Sequence, residues 1–220
     1  MSDRNLGYDP RPKIEGLSDL IFGLALSLTA YSLLTRPPIT MTQFATDVLA
    51  FTFSFLILIS VWLRYTGIMS VLPIENRTTR LLNVAMLFTV CLEPYLFNLV
   101  SLFSRATDTI IVEYASVFFA ADMASLVIIL TFFVHELTVE EKQLIKPELV
   151  EPTRRVRNSM VLSAFLFFLT MAPQFWQWRI LNIPLRFYLW LIPVLIFWVG
   201  RLPEEPKTAN LESAQKQKAN

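Results

Sequence analysis

An uncharged run near the start of the chain limits the environments in which this protein can fold. Residues 13–35 read KIEGLSDLIFGLALSLTAYSLLT, and no charged residue follows Asp19 in this run. As a helix, residues 17–35 are long enough to cross a bilayer core of about 30 Å. A carboxylate at the mouth of such a helix is costly to desolvate. We therefore expect Asp19 to have a bonding partner or a function.

At about 100° per residue, this helix divides into a leucine stripe and a small-residue flank. The leucine stripe consists of Leu17, Leu20, Leu24, Leu28, Tyr31 and Thr35, with Ser27 at its edge. Gly16, Gly23 and Ala30 lie beside the stripe, and small residues at this spacing let another backbone approach closely. Asp19 is expected to be buried on the opposite side. The same spacing is compatible with an ordinary membrane helix whose glycines are incidental.

The composition of the whole chain indicates a membrane protein. Hydrophobic residues make up 54% of the 220 residues and the mean hydropathy is +0.50, whereas soluble domains are about 45–50% apolar. The net charge of +1 excludes a polybasic nucleic-acid binder. Cys91 is the single cysteine and His135 the single histidine, which is too few for an intrachain disulfide or a metal site. We therefore expect no cofactor, no metal and no nucleic-acid partner.

Six apolar segments are spaced along residues 1–200 at lengths typical of membrane helices. They cover residues 17–35, 44–63, 81–103, 109–134, 159–175 and 180–200. Proline is expected to break the third segment at Glu93-Pro94 and the sixth at Pro193. A charged connector at residues 136–157 precedes the fifth segment. The predicted fold class is all-α, a polytopic membrane protein with six transmembrane helices and a disordered polar tail at residues 201–220.

The basic residues predict how the six helices are oriented. With both termini on the cytoplasmic side, the inner segments hold 15 of the 19 Lys and Arg residues and the outer segments hold 4. The outer four are Arg36, Arg105, Arg179 and Arg186. Because cytoplasmic segments carry the excess of positive charge, we expect a multi-pass protein of the cell membrane with both termini in the cytoplasm.

The first helix carries a short motif that resembles a family signature. Residues 13–19, KIEGLSD, are similar to the Arg-x-x-x-Phe-Ser-Asp motif of the transmembrane protein 175 family, the lysosomal potassium channels and their prokaryotic relatives. Ser18 and Asp19 match the motif, whereas Lys13 replaces the arginine and Leu17 replaces the phenylalanine. The residues 22–28, FGLALSL, are similar to the family's Phe-Ala-Ile-Ala-Ile-Thr-Leu run.

Two further segments extend the resemblance over the first three helices. The second apolar segment ends near Trp62, as the family's second helix ends in a tryptophan. Residues 92–95, LEPY, are similar to the family's Leu-hydrophobic-Pro-Phe break in the third helix. The family usually follows its tryptophan with asparagine and histidine, where this chain has Arg64, Tyr65 and Thr66. We therefore expect that part of the polar network to be altered.

The resemblance implies a potassium-permeable cation channel. Prokaryotic relatives are tetramers in which the first helix lines the pore at the central axis and bulky aliphatic residues form the constriction. Carried over by position, Leu24 matches the gate residue, and Ser27 matches the family's hydroxyl layer. Leu28 lies one turn outward from Leu24, and Tyr31 is expected to narrow the outer pore. The implied partners are identical subunits, membrane lipid and monovalent cations, with potassium as the permeant ion.

The motif residues are expected to hold the first helix in place rather than to line the pore. Asp19 faces away from the leucine stripe, at the depth of Trp62, Arg64 and Tyr65 on the neighbouring helix. A charge-assisted hydrogen bond there would fix the helix register. The predicted structural network consists of Lys13, Leu17, Ser18, Asp19, Trp62 and Arg64. The alternative is that the Asp19 carboxylate reaches cytoplasmic water.

Other functions remain compatible with the sequence. An enzyme is not expected, because the intramembrane acids are scattered over different faces or depths and no nucleophile–base pair or metal set accompanies them. A secondary or proton-coupled transporter would use Asp122 or Glu93, although Asp122 is as well explained by a neutral acid bonded to a serine or a backbone carbonyl. A third hypothesis is a non-conducting membrane scaffold with the same fold.

Overall fold

The chain folds into a bundle of helices with one short hairpin. The computed structural model describes residues 11–35, 37–72, 77–101, 109–139, 144–145, 147–180 and 183–199. In chain order the elements are α1 (Arg11–Thr35), α2 (Met41–Met69), α3 (Arg77–Ser101), α4 (Thr109–Leu137), α5 (Pro147–Thr170), α6 (Gln174–Gln177), β1 (Arg179–Ile180), β2 (Ile183–Pro184), α7 (Leu185–Leu189) and α8 (Leu191–Val199). The predicted tail at residues 201–220 lies outside the described residues, so its disorder stays a prediction.

Three helices are long and apolar enough to cross a membrane by length and composition. They are Met41–Met69, Arg77–Val100 and Ile110–Leu137. Two shorter apolar helices lie at Gly16–Tyr31 and Leu185–Ile196. The prediction of a mainly helical fold is confirmed, whereas the count of six membrane spans stays a prediction.

The boundary between α1 and α2 follows from local chemistry. Pro37 and Pro38 lie between the two helices, where neither can donate a helical hydrogen bond. Thr40 then caps α2, because its extended backbone places the side-chain oxygen to accept from the Gln43 amide at 3.2 Å. α1 therefore ends at the predicted Thr35 and α2 begins close to its predicted start, whereas α1 begins before, and α2 ends after, the predicted apolar segments.

The predicted break of the third helix at Glu93-Pro94 is wrong. α3 runs without interruption from Arg77 to Ser101 and carries Pro94 in its interior. Pro94 lacks the N–H that would bond to the Val90 carbonyl. Val90 and Phe97, on either side of the proline, are both buried in the core. Lateral packing against neighbouring helices therefore keeps α3 helical through the missing hydrogen bond.

The predicted charged connector before the fifth helix is also largely wrong. α5 begins at Pro147 and includes most of the basic residues assigned to that connector. Thr153, Val156 and Met160 are buried at helical spacing, while Arg155 is exposed. The start of α5 is thus amphipathic, and a search for continuous apolar runs does not detect such a segment.

The sixth predicted span, residues 180–200, does not form a single helix. β1 and β2 pair antiparallel, with Arg179 opposite Pro184 and Ile180 opposite Ile183. Two short helices follow, α7 and α8, which meet at Trp190. Pro184 precedes α7, where its fixed φ is compatible with a helix start, and Pro193 lies in the first turn of α8, where a missing N–H costs little. Pro184 and Pro193 therefore stand at or near the starts of α7 and α8, and both helices form.

The core is centred on α4. Phe119, Leu130 and Phe133 of this helix are 0% exposed. α3 packs on one side of α4 and α5 on the other, α8 packs on α5, and α1 packs against α3 and α2. α1 is therefore held at the edge of the subunit by one face only.

Candidate functional site

The candidate site is α1, which has one buried face and one exposed face. Ser18, Phe22, Ala25 and Thr29 recur every three or four residues, and all four are 3% exposed or less. The Phe22 ring lies 5.9 Å from the Tyr65 ring of α2, centroid to centroid. This buried face fixes the rotation of α1 about its own axis and so decides which residues point away from the subunit.

The leucine stripe lies on the exposed face. Leu17, Leu20, Leu24, Leu28 and Tyr31 are between 48% and 68% exposed. The side chain of Thr35, the last member of the stripe, lies outside the described part of the structure. A contiguous apolar surface of this size on a single chain marks an interaction surface or a lipid contact. The stripe is thus available to other subunits.

The small-residue flank faces open space within the chain. A Cβ atom built on Gly16 or on Gly23 would meet nothing within 4 Å. The close backbone approach predicted at these glycines is therefore not made inside the subunit. It stays a prediction for contacts between subunits.

Ser27 sits at the edge of the exposed face with its hydroxyl proton already used. Its Oγ donates to the Gly23 carbonyl of the same helix at 2.7 Å. A hydroxyl has one proton and two lone pairs, so the bonded Ser27 offers lone pairs to its surroundings. An oxygen that only accepts is suited to a cation.

A buried hydrogen-bond network joins α1 to α2 and α3. The Tyr65 hydroxyl donates to Asn83 Oδ1 at 2.8 Å, and the Ser18 hydroxyl lies 2.8 Å from the Tyr65 oxygen. Since the tyrosine proton goes to the asparagine oxygen, Ser18 donates to Tyr65. All three side chains are 7% exposed or less. Ser18 therefore anchors α1 through Tyr65. Sequence reasoning places Tyr65 at the depth of Asp19, but it does not identify Ser18 as the partner of Tyr65 and gives no role to Asn83.

Asp19 is bonded to α2, but it is not buried. Trp62 Nε1 donates to Asp19 Oδ1 at 2.8 Å. The expectation that Asp19 is a buried acid is wrong for the described chain, because the residue is exposed. Position 19 follows the buried Ser18 by about 100° on the helix and so reaches the rim of the buried face. The contact joins α1 and α2 at that rim.

The other three members of the predicted network make no hydrogen bond or ion pair with Asp19 that the structure describes. Arg64 is half-buried on α2, two residues from Trp62, and the contact at Asp19 is made by Trp62. Lys13 lies in the first turns of α1, and its side chain is outside the described part of the structure. Leu17 belongs to the exposed face rather than to the anchor, with 52% of its surface exposed.

Two buried acids lie in the interior of the subunit. Glu93 is 0% exposed and its Oε1 accepts from Ser54 Oγ at 2.8 Å. Glu93 Oε2 and Asp122 Oδ2 have no hydrogen-bond partner among the described residues. The sequence suggests a serine partner for Asp122, and in the structure it is Glu93 that bonds to a serine, Ser54. Both residues are buried, with Glu93 0% and Asp122 5% exposed.

Arg186 is a structural residue that sequence reasoning missed. It was counted as a basic residue of an outer segment, yet it is 0% exposed. Its Nε donates to the Thr170 carbonyl at 2.7 Å, and its Nη2 donates to the carbonyls of Met171 and Ala172 at 3.1 and 3.2 Å. A cation at the carbonyl end of a helix satisfies orphan acceptors and complements the helix dipole. The signal in the sequence is a lone arginine inside an apolar segment.

The guanidinium of Arg186 also reaches α4. Its Nη1 donates to Ser116 Oγ at 2.6 Å, and the group lies 5.8 Å from the Trp176 ring centroid. One side chain therefore ties the end of α5 and the start of α7 to α4. This clamp lies away from α1 and supports the bundle rather than the exposed face.

Comparisons with known proteins address both the sequence and the fold. Residues 13–94 match the model of the family described as endosomal/lysosomal potassium channel TMEM175. The matched range holds α1, α2 and most of α3, including Ser18, Asp19, Trp62 and Tyr65. The search of curated proteins gives no significant match.

A solved structure matches over most of the chain. It is the crystal structure of a lysosomal potassium-selective channel TMEM175 homolog from Chamaesiphon minutus, with a TM-score of 0.61 and 14% sequence identity. The match covers 86% of this chain and 96% of that chain. At this identity the likeness shows the fold. The resemblance to the TMEM175 family is therefore confirmed by sequence over residues 13–94, and the likeness in fold to the TMEM175 homolog extends over 86% of the chain.

Proposed function

We propose that this chain is one subunit of a potassium-permeable cation channel whose pore is lined by the exposed face of α1. The observation that carries the proposal is the two-faced character of that helix. Ser18 and Phe22 fix one face in the subunit, while Leu20, Leu24 and Leu28 are exposed on the other. The helix lies within the range that matches a potassium channel family.

The assembly we propose is a homotetramer with α1 at its central axis. Four copies of the leucine stripe around one axis would cover each other's exposed apolar surface. Wherever that surface is in contact with water, its burial gives association a hydrophobic driving force. The flank at Gly16 and Gly23 would let neighbouring helices approach closely. The proposed topology has six membrane spans, with both termini in the cytoplasm.

Leu24 forms the proposed constriction. A ring of leucine side chains excludes water when it is narrow, and ions do not pass a dry segment. Ser27 lies one turn along α1, where four hydroxyl oxygens with free lone pairs would compensate a cation for part of its lost hydration. Leu28 and Tyr31 continue the lining in the same direction. A gate of this kind discriminates by hydration cost and gives weak selectivity.

The polar contacts of α1 set the geometry of the pore from behind. The Ser18–Tyr65–Asn83 network and the Asp19–Trp62 bond hold α1 against α2 and α3. Rotation of α1 by one residue position, about 100°, would replace Leu24 with a neighbour at the axis. The anchor therefore keeps Leu24 in place without touching the permeating ion.

Potassium flux through purified protein in liposomes tests the proposal. Leu24→Ala widens the ring and Leu24→Asn wets it, so both are expected to raise flux per assembled channel. Each reduction of about 1.4 kcal/mol in the barrier raises the flux about tenfold. Leu26→Ala is the matched control, because Leu26 is half-buried against the core and off the stripe. It is expected to lower stability by about 2 kcal/mol without raising flux.

The outcomes separate the proposal from its rivals. If Leu26→Ala opens the protein and both Leu24 variants leave flux unchanged, α1 is rotated from the proposed position. If the wild type carries no flux under a potassium gradient, the scaffold hypothesis replaces the channel. A flux that saturates and requires a second ion indicates a carrier.

The buried acids favour one second candidate, a secondary or proton-coupled transporter. The unsatisfied oxygens of Glu93 and Asp122 are the observation behind it, since buried acids in a membrane protein often take part in ion or proton transfer. In a carrier, Glu93→Gln and Asp122→Asn would abolish coupling to a proton gradient. In the proposed channel they change stability and leave flux per assembled channel near the wild-type value.

A further inference from the structure

A groove of about 540 Å³ lies between α4 and α5. Its α4 side includes Ile128 and Phe132, and its α5 side includes Val161, Phe165 and Phe168. The volume falls within the range of about 300–1,000 Å³ that ligand pockets occupy. Each side follows helical spacing of three or four residues, so the groove is formed by one continuous face of each helix. The aromatic members are open to the surroundings, with Phe132 52% and Phe165 61% exposed.

The groove is polar at one end only. Along its length the hydroxyl of Thr131 donates to the Val127 carbonyl of its own helix at 2.8 Å, which leaves no free donor there. At the end where α4 finishes, Arg157 Nη1 lies 3.1 Å from His135 Nδ1. A guanidinium has donors only, so Nδ1 of His135 accepts. From Arg157 to Phe168 the groove runs about 17 Å along α5, at about 1.5 Å per residue.

Arg157 keeps capacity for another partner. A guanidinium carries five N–H donors, and among the described residues Arg157 contacts His135 and, at 3.5 Å, Asn158 Oδ1. Neither partner is a carboxylate, so the positive charge of Arg157 is not neutralised by these bonds. The end of the groove therefore offers a cation with free donors beside an apolar channel.

We propose that this groove binds an anionic phospholipid, with one acyl chain along the apolar faces and the phosphate on Arg157. An apolar tail joined to a phosphate is the chemistry that complements an apolar channel ending in a guanidinium. Arginine binds phosphate with two parallel hydrogen bonds, and basic pockets between membrane helices on the cytoplasmic side bind acidic headgroups. The positive end of the groove is formed by the basic segment that the charge distribution places in the cytoplasm.

A lipid fits the groove better than a second copy of the chain. The exposed face of α1, which packs against α2 and α3, is the surface proposed for contacts between subunits, whereas this groove is formed by α4 and α5. In the part of the chain that the structure describes, Arg157 has no carboxylate partner, and Glu151 on the same helix pairs with Arg155 at 3.7 Å. The inference does not depend on ion conduction.

The test measures lipid binding to the purified full-length protein by native mass spectrometry. The two probes are phosphatidylglycerol and phosphatidylcholine with identical acyl chains. The wild type is expected to bind phosphatidylglycerol at least about tenfold more tightly, because the choline cation offsets the phosphate charge of phosphatidylcholine and a hydrogen-bonded charge pair contributes that much or more. Arg157→Ala removes this preference and lowers the binding of phosphatidylglycerol more than that of phosphatidylcholine.

Two control variants make the result specific. Arg155→Ala changes the net charge equally, two residues away on the same helix, and is expected to keep the preference. Val161→Trp fills the groove and lowers binding of both lipids, since Val161 is 52% exposed and a larger side chain there does not disturb the core. A melting curve for each variant separates loss of binding from loss of folding, and Arg157→Gln, which is also uncharged, replaces Arg157→Ala if the latter unfolds.

Several outcomes overturn the proposal. Equal binding of the two lipids by the wild type shows that the net charge of the headgroup is not recognised at Arg157. Equal losses in Arg157→Ala and Arg155→Ala indicate diffuse attraction to the basic segment. Unchanged binding in Val161→Trp places the lipid elsewhere, and a disulfide between copies carrying Val161→Cys in the assembled protein assigns the groove to a second copy.

Discussion

Tyr65→Phe is the sharpest test of how α1 is held. The substitution removes one oxygen, which accepts from Ser18 and donates to Asn83, both at 2.8 Å. The phenylalanine ring still fits beside Phe22, so the packing is conserved. Asn83 Oδ1, on a residue 7% exposed, then loses its donor. A buried polar group left without its partner costs about 1–3 kcal/mol.

The expected loss is measurable as a shift of the melting temperature. For a chain of this size, about 1 kcal/mol corresponds to about 2–4 °C, so Tyr65→Phe should lower the Tm by about 2–12 °C in detergent. The comparison must be made at one protein concentration, because oligomerisation contributes to apparent stability. Tyr114→Phe is the matched control, since Tyr114 is 63% exposed. It should leave the Tm unchanged.

A double-mutant cycle with Ser18→Ala isolates the network. Because Ser18 is bonded to Tyr65, the two substitutions remove the same hydrogen bond and their effects should not add. An interaction energy of about 0.5–3 kcal/mol is expected for residues in one network. If Tyr65→Phe is as stable as Tyr114→Phe, or if the two effects add, the network does not anchor α1.

Two further substitutions test the other contacts. Asp19→Asn keeps an oxygen for Trp62 and should change the free energy of unfolding by less than about 0.5 kcal/mol. Asp19→Ala removes the acceptor and should lower the free energy of unfolding by about 0.5–1.5 kcal/mol in a thermal unfolding assay. Equal losses in the two variants would show that the charge of Asp19 matters rather than the hydrogen bond. Arg186→Lys keeps the charge but not the planar fork, so it should cost at least about 2 kcal/mol, and the exposed Arg179→Lys should cost nothing in the same assay.

The sequence predicts the elements of this protein better than their contacts. The apolar runs predict α1 to α4, because the mean hydropathy of a segment depends only on the residues in it. The amphipathic start of α5 is missed, since its charged residues on one side hide the buried Thr153 and Val156. The continuity of α3 through Pro94 depends on packing by other helices, which no local pattern reports.

The same division holds at the candidate site. Helical spacing predicts which residues of α1 share a face, so the exposed positions of Leu20, Leu24 and Leu28 follow from period 3.6. The partner of Ser18 depends on how α2 and α3 are rotated, and that rotation brings Tyr65 and Asn83 together from 18 residues apart in sequence. For Asn83 the available signal in the sequence is a polar residue among apolar neighbours.

The two faces of α1 should be separable by experiment, and this gives the last prediction. Leu24→Asn changes the exposed face of α1, whereas Tyr65→Phe changes the contacts of its buried face. Leu24 and the α2 residue Tyr65 lie on opposite sides of α1. Substitutions without shared partners add to within about 0.3–0.5 kcal/mol. The double variant should therefore have the lowered melting temperature of Tyr65→Phe and, per assembled channel, the raised potassium flux of Leu24→Asn. If Tyr65→Phe alone raises flux per assembled channel as much as Leu24→Asn does, the anchor and the gate are one coupled unit, and the division of α1 into a holding face and a conducting face is wrong.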